Sequence, residues 1–255
     1  MIDRRSQADQ FRALHILGRP VVLFNVWDAG SAKAVARGGA KAIGTSSWSV
    51  ANANGFADGE RIARTAAIDN LRRIVASTDL PVTVDLESGY GETLEEIGET
   101  IRLAIDAGAV GCNLEDSFPA DGRLREPAEQ CERIRSARKA ADSDGIGFFI
   151  NARTDVFFQR SLEQPDDAVA DAAIERANAY AEAGADGLFV PGLADISLVT
   201  RLARASRIPL NIMVSDVTPP LRVLAEVGVA RVSYGPRPYL LAMKALEEAA
   251  RAEIV

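Results

Sequence analysis

Three short segments carry polar side chains in the alternation that an extended strand turns into a common face. In Val82-Thr83-Val84-Asp85-Leu86-Glu87, residues two apart point the same way. Thr83, Asp85 and Glu87 therefore oppose Val82, Val84 and Leu86. The next segment repeats this, with Gly111, Asn113 and Glu115 against Val110, Cys112 and Leu114, and a third sets Asn151 and Arg153 against Ile150 and Ala152. A single carboxylate in such a place is an ordinary cap or ion-pair partner. Asp85, Glu87 and Glu115 sharing one mouth would repel one another unless positive charge sat among them. Arg153 offsets one charge, and a hard divalent cation is the natural remainder. Mg²⁺, with Mn²⁺ as the alternative, suits a site with few direct carboxylates and several retained waters. Thr45-Ser46-Ser47-Trp48-Ser49 adds hydroxyls and backbone N–H groups fit for a carboxylate or phosphonate. Its plainer reading is a polar turn with Trp48 as a packing residue.

The elements that position these groups are legible as eight apolar runs beginning near Val21, Lys41, Pro81, Val110, Ile146, Gly187, Ile208 and Ala230. Helical patterns separate them; Leu94, Ile97, Ile101, Ala104 and Ile105 recur with a period near 3.6. Strand–helix alternation carried eight times predicts an α/β fold, a parallel (β/α)8 TIM barrel, as one domain over residues 1–255. Helix-to-strand turns at Gly38-Gly39-Ala40, Ala107-Gly108-Ala109, Ala183-Gly184-Ala185 and Val227-Gly228-Val229 supply left-handed glycines that stop a helix. A doubly wound open sheet is the rival, but Asn25-Val26-Trp27-Asp28-Ala29-Gly30 lacks its glycine-rich first turn. In a barrel the polar strand faces point to the axis and their charged ends reach the C-terminal rim, where barrel active sites are built.

The net charge of −7 argues against nucleic acid or an anionic membrane as partner. No export signal or membrane-length apolar run is visible, so a cytoplasmic protein is expected. Cys112 and Cys131 lack zinc or redox spacing; the first reads as core, the second as a non-catalytic residue of a helix. His15, the one histidine, reads as structural, which disfavours His-based triads and His-rich zinc sites. The stretch Asp116–Arg123 reads as a mobile lid over the mouth.

Six motifs in order carry a family resemblance: Asn25-Val26-Trp27-Asp28-Ala29, Ser46-Ser47-Trp48, Asn54-Gly55-Phe56-Ala57-Asp58, Val84-Asp85-Leu86-Glu87-Ser88-Gly89-Tyr90-Gly91, Asn113-Leu114-Glu115-Asp116 and Asn151-Ala152-Arg153-Thr154-Asp155. Over nearly its whole length the chain resembles the isocitrate lyase/phosphoenolpyruvate mutase superfamily. The resemblance implies Asp85 as the direct Mg²⁺ ligand, with Asp58, Glu87 and Glu115 acting largely through metal-bound water. It implies Trp27, Ser46, Ser47, Trp48, Arg153 and Asn211 as substrate contacts, and Asp58, Glu115 and Arg153 as the catalytic set. It further implies a homodimer or homotetramer with exchanged C-terminal helices.

The departures from the family pattern are as informative. The lyases' Lys-(Lys/Arg)-Cys-Gly-His loop is replaced by Phe118-Pro119-Ala120-Asp121-Gly122-Arg123-Leu124-Arg125, and Pro191-Gly192 stands where relatives place histidine or glutamate. The lysine-rich segment of the phosphonomutases is also absent, and Glu87 replaces the usual aspartate. The metal half of the site is kept, while the half that selects substrate and donates protons is not recognisable. The expectation is a Mg²⁺-dependent lyase or decarboxylase acting on a small anionic 2-oxo acid through an enolate. Any proton would come from ordered water or a hydroxyl of the Ser117–Arg123 segment. A phosphonopyruvate mutase or hydrolase, or a non-catalytic 2-oxo acid binding protein, is the alternative.

Overall fold

The computed structural model describes residues 3–159 and 166–254. Its eight strands are β1 (Val21–Leu23), β2 (Ile43–Gly44), β3 (Val82–Asp85), β4 (Gly111–Glu115), β5 (Phe149–Arg153), β6 (Gly187–Val190), β7 (Leu210–Met213) and β8 (Arg231–Ser233). The helices are α1 (Arg4–Ala13), α2 (Ala29–Arg37), α3 (Ser47–Ala53), α4 (Arg64–Val75), α5 (Leu94–Asp106), α6 (Pro127–Asp144), α7 (Val156–Gln159), α8 (Asp166–Glu182), α9 (Ile196–Ala205), α10 (Leu221–Glu226) and α11 (Arg237–Glu253). All seven ladders are parallel, in the order β1-β8-β7-β6-β5-β4-β3-β2. A parallel bridge between Val26 and Thr45 draws the two edges together. This is a (β/α)8 barrel.

Asn25 fastens that seam. Its Nδ2 donates to the Thr45 carbonyl at 2.8 Å, while its Oδ1 accepts from the backbone of Tyr234 and Gly235, both at 2.9 Å. One side chain thus ties the ends of β1, β2 and β8. Left-handed glycines occupy all four expected turns, at Gly39, Gly108, Gly184 and Gly228. Several strands begin two or three residues later than their apolar runs, as at Phe149, where Gly147 first turns the chain with a φ of 71°.

The outward strand face, including Val84, Cys112, Ile150, Leu188, Ile212 and Val232, packs into one buried cluster beneath the helices. The other face turns inward. Arg231 on β8 donates to Asn113 Oδ1 on β4 at 3.1 Å. Three strands separate those two in the sheet, so the contact crosses the barrel interior. At the opposite end α1 plugs the barrel: the Phe11 ring meets Phe149 edge-on at 5.5 Å, and His15 stacks on Phe149 at 4.2 Å. Interior space is tight enough that a Cβ on Gly111 would fall 2.7 Å from the Phe149 carbonyl.

Helix α11 behaves differently from the rest. Among its described residues only Pro238 is buried, and Leu240, Leu241 and Leu246 are exposed. Among the described residues no helix is long and apolar enough to cross a membrane.

Candidate active site

Asp85 ends β3, as the strand alternation predicts. Its backbone N–H donates to Thr45 Oγ1 at 2.8 Å, and its Oδ2 accepts from the Ser47 N–H at 3.2 Å. Its Oδ1 is buried and has no hydrogen-bond partner. An unmatched anionic oxygen out of water is costly, so this oxygen is free to take a ligand. Asp58 lies on the same wall of the site, its pKa raised by burial and by the charge of Asp85. Ser46 is the N-cap of α3, its hydroxyl accepting from Ser49 N at 3.3 Å and Ser49 Oγ at 3.1 Å. The polar turn is therefore a helix start whose first N–H holds Asp85 in place.

Glu87 departs from the strand reading. The strand stops at Asp85, and Glu87 lies in a turn with a φ of 52°, followed by Gly89 at 110° and Tyr90 at 53°. Its Oε2 accepts from the backbone N–H groups of Gly59 (2.8 Å) and Glu60 (2.6 Å), and its Oε1 from the Tyr90 hydroxyl at 2.9 Å. Burial and the charge of Asp58 push the Glu87 carboxyl up to about 7. Glu60, itself at a φ of 58°, closes the arrangement by accepting from Ser88 Oγ and Tyr90 N. Arg133 grips the same turn through the Ser88 and Gly91 carbonyls.

Arg153 is engaged on every side. Its Nη1 meets Glu115 at 2.8 Å, while Nε and Nη2 meet the two oxygens of Asp155 at 2.7 and 2.9 Å. The rings of Phe158 and Phe189 lie 5.9 and 5.8 Å from the guanidinium carbon, within cation–π range. Burial opposes the arginine's charge, but Glu115 and Asp155 more than reverse this and keep it protonated. Burial likewise raises Glu115, against the pull of Arg153.

These groups border a cavity of about 230 Å³ lined by Asn25, Ser46, Ser47, Trp48, Asp58, Asp85, Asn113, Arg153, Phe158, Phe189, Met213, Ser233, Gly235 and Pro236. Glu87, Glu115, Trp27 and Asn211 are expected at the site but do not line it. Trp27 packs edge-on against Tyr239 at 5.1 Å, and Tyr239 in turn meets Trp48. Asn211 is buried, its Oδ1 accepting from Ser233 Oγ at 3.2 Å and its Nδ2 without a partner. Among the described residues no group of three or more His, Cys, Asp or Glu is arranged to hold a metal ion. Asp85, Glu87 and Glu115 lie near enough for their charges to act on one another without forming a set of direct ligands. Glu87 is turned to the 59–60 backbone and Glu115 to Arg153, which leaves Asp85 as the open carboxylate with Asp58 on the same wall.

The expected lid is also different. Ser117 and Leu124 form an antiparallel bridge, Phe118 N donates to Arg123 O, and Arg125 stacks on Phe118 at 4.1 Å. Asp116, fully buried, anchors the loop through Arg176 and Tyr180. The Ser117 hydroxyl is used on Asp155 at 2.7 Å. None of residues 116–125 lines the cavity. Both cysteines are buried, and burial raises both thiols.

Sequence reasoning missed several lining residues. Asn113 shares the face of Glu115, and its Oδ1 already accepts from Asn151 and Arg231; its amide N–H₂ is the half left for the cavity. The alternation carried that signal. Phe158, Phe189 and Met213 are apolar, and nothing in their type marks them as site residues.

An eight-stranded parallel barrel with an acidic mouth defines the class. The family model described as phosphoenolpyruvate phosphomutase matches residues 11–254. A Burkholderia cenocepacia protein, whose crystal structure is described provisionally as that of a phosphonomutase, is 55% identical with a TM-score of 0.96, covering 98% of this chain and 100% of its own. The 2-methylisocitrate lyase of Escherichia coli is 31% identical over 96% of this chain and 82% of its own length. A phosphonopyruvate hydrolase solved with oxalate and Mg²⁺ shares the fold at 22% identity and a TM-score of 0.82, over 97% of this chain and 87% of that one. This chain belongs to the phosphoenolpyruvate phosphomutase family, within the isocitrate lyase/PEP mutase superfamily.

Proposed function

We propose that this chain is a Mg²⁺-dependent enzyme that generates the enolate of a small 2-oxo acid by carbon–carbon cleavage or decarboxylation. The observation that carries the reading is the buried, unpartnered Oδ1 of Asp85 at the wall of the cavity. One open carboxylate, with Asp58 beside it, fits a cation that keeps most of its waters and takes one or two protein carboxylates. When bound, Mg²⁺ supplies positive charge against the oxygen on which negative charge develops. The phosphonopyruvate hydrolase crystallised with oxalate and Mg²⁺, and the lyase relative's name, support this reading.

The chain's own residues do the rest. Ser47 fixes Asp85 through its backbone N–H. Asn113 offers an amide donor to a substrate oxygen. Trp48, Phe158 and Phe189 shield the floor from water, which strengthens every polar contact beneath them. No Cys, His, Lys or Tyr occurs among the described residues that line the cavity. The proton for the new carbon–hydrogen bond then comes from water or from Asp58, whose pKa burial raises, and decarboxylation asks least of such a site. The test is a panel of 2-oxo acids and their hydroxy-acid precursors, assayed for carbon dioxide and 2-oxo acid release with Mg²⁺ and with chelator. Release that stops in chelator supports the reading. Phosphate from phosphonopyruvate, with no turnover of the panel, would replace it with the C–P alternative.

We also propose that copies of the chain exchange α11. Isolated helices of this length are marginal in water, yet Leu240, Met243 and Leu246 are left exposed along it. A groove of about 690 Å³ beside β1 and α2, lined by Leu14, Ile16, Val22, Phe24, Ala34 and Val35 among others, offers the apolar seat.

A further inference from the structure

Arg153 lines the cavity, but Glu115 and Asp155 already match its charge. A second arginine, Arg231, lies one step deeper. It shares the inward face of β8 with Ser233, which lines the cavity, and strand alternation sets it below that residue. Arg231 is 1% exposed, and the Phe11 ring of the α1 plug lies 6.0 Å from its guanidinium carbon. Its Nε and Nη1 are buried with no hydrogen-bond partner, and among the described residues it makes no ion pair. Burial lowers its pKa to about 9, against the charge of Asp85, so it stays protonated at neutral pH. A buried cation so poorly matched costs the fold stability.

Its Nη2 donates to Asn113 Oδ1 at 3.1 Å, and Asn151 Nδ2 donates to the same oxygen at 2.9 Å. Two donors on Oδ1 settle which way the Asn113 amide faces and leave its N–H₂ for the cavity. The cationic donor also draws electron density from the amide, which strengthens those N–H groups as donors. We propose that Arg231 is a positioning residue for anion binding: from beneath the cavity it orients and polarises Asn113, and its unmatched charge offsets Asp85 when an anionic ligand enters. The proposal rests on the 2-oxo acid reading above and names the cation that serves it.

The test compares the full-length wild type with Arg231→Met by thermal melting and by calorimetry, with Mg²⁺ alone and then oxalate in Mg²⁺ as probes. The variant should melt no lower than wild type, because Asn151 still serves Asn113 Oδ1 and the desolvated charge is gone. It should bind oxalate about 10-fold more weakly and Mg²⁺ at least as tightly, since a positive charge has left the neighbourhood of Asp85. General damage to the site would weaken both. In an Asn113→Ala background, Arg231→Met should weaken oxalate by less than about two-fold further, because the residue it acts through is absent. Melting more than about 4 °C below wild type, oxalate and Mg²⁺ weakened together, oxalate binding equal to wild type, or a full loss repeated in the Asn113→Ala background would each overturn the proposal and leave the 2-oxo acid reading standing. If wild type takes up Mg²⁺ but no oxalate, the 2-oxo acid reading falls, and this one with it.

Discussion

Asp85 and Arg153 are both charged residues at strand ends, and their environments give them opposite tasks. Asp85 keeps an oxygen free. Arg153 is spent on two carboxylates and two rings. Strand alternation reveals the direction in which such a side chain points but not the partners it meets there, so Asp85 was legible as a site residue and the girder role of Arg153 was not. Asp155, which takes two of the arginine's nitrogens, lies in a conspicuous motif yet beyond the strand, where alternation says nothing. Removing Arg153 would leave Glu115 and Asp155 buried without a counter-charge. Arg153→Ala should therefore cost about 3–5 kcal/mol of stability, read as a lowered urea midpoint. A stability change below about 1 kcal/mol would show that the pair is solvated and the arginine is free for substrate.

At the scale of elements, the eight strands were legible because apolar runs and glycine stops repeat in register with the fold. The internal pairing of the 116–125 loop was not legible in the sequence. Its polar composition conceals the pairing of Ser117 with Leu124 and the buried Asp116 that roots it. The α1 plug carries a titration. His15 Nδ1 lies 2.9 Å from the Phe11 carbonyl, its Nε2 has no partner, and burial together with the charge of Arg231 lowers its pKa to about 3. The unfolded chain binds this proton near 6.5, whereas the folded chain refuses it down to about 3. The contribution is complete above pH 6.5 and is lost as pH falls toward 3, at about 1 kcal/mol per pH unit. Denaturant midpoints of wild type and His15→Phe, compared from pH 7 to 4, should diverge with that sign. Parallel curves would contradict it.

At the scale of the whole molecule, the leucine face of α11 beyond Tyr239 and the groove beside β1 are two apolar surfaces left exposed among the described residues. Light scattering should report a dimer or tetramer, and the pair Leu240→Arg and Leu246→Arg should shift it to monomer. A wild-type monomer would rule out exchange. No single-chain pattern in the sequence indicates which copy a helix covers, which is why only a family resemblance raised the question. The proposed chemistry needs a cation at Asp85, and calorimetric titration of Mg²⁺ into wild type and Asp85→Ala tests that most directly. Wild type should bind Mg²⁺, and Asp85→Ala should show no measurable binding while melting within a few degrees of wild type, since Asp85 lies at the rim and outside the buried apolar cluster. Equal Mg²⁺ affinity in the two proteins would contradict the account.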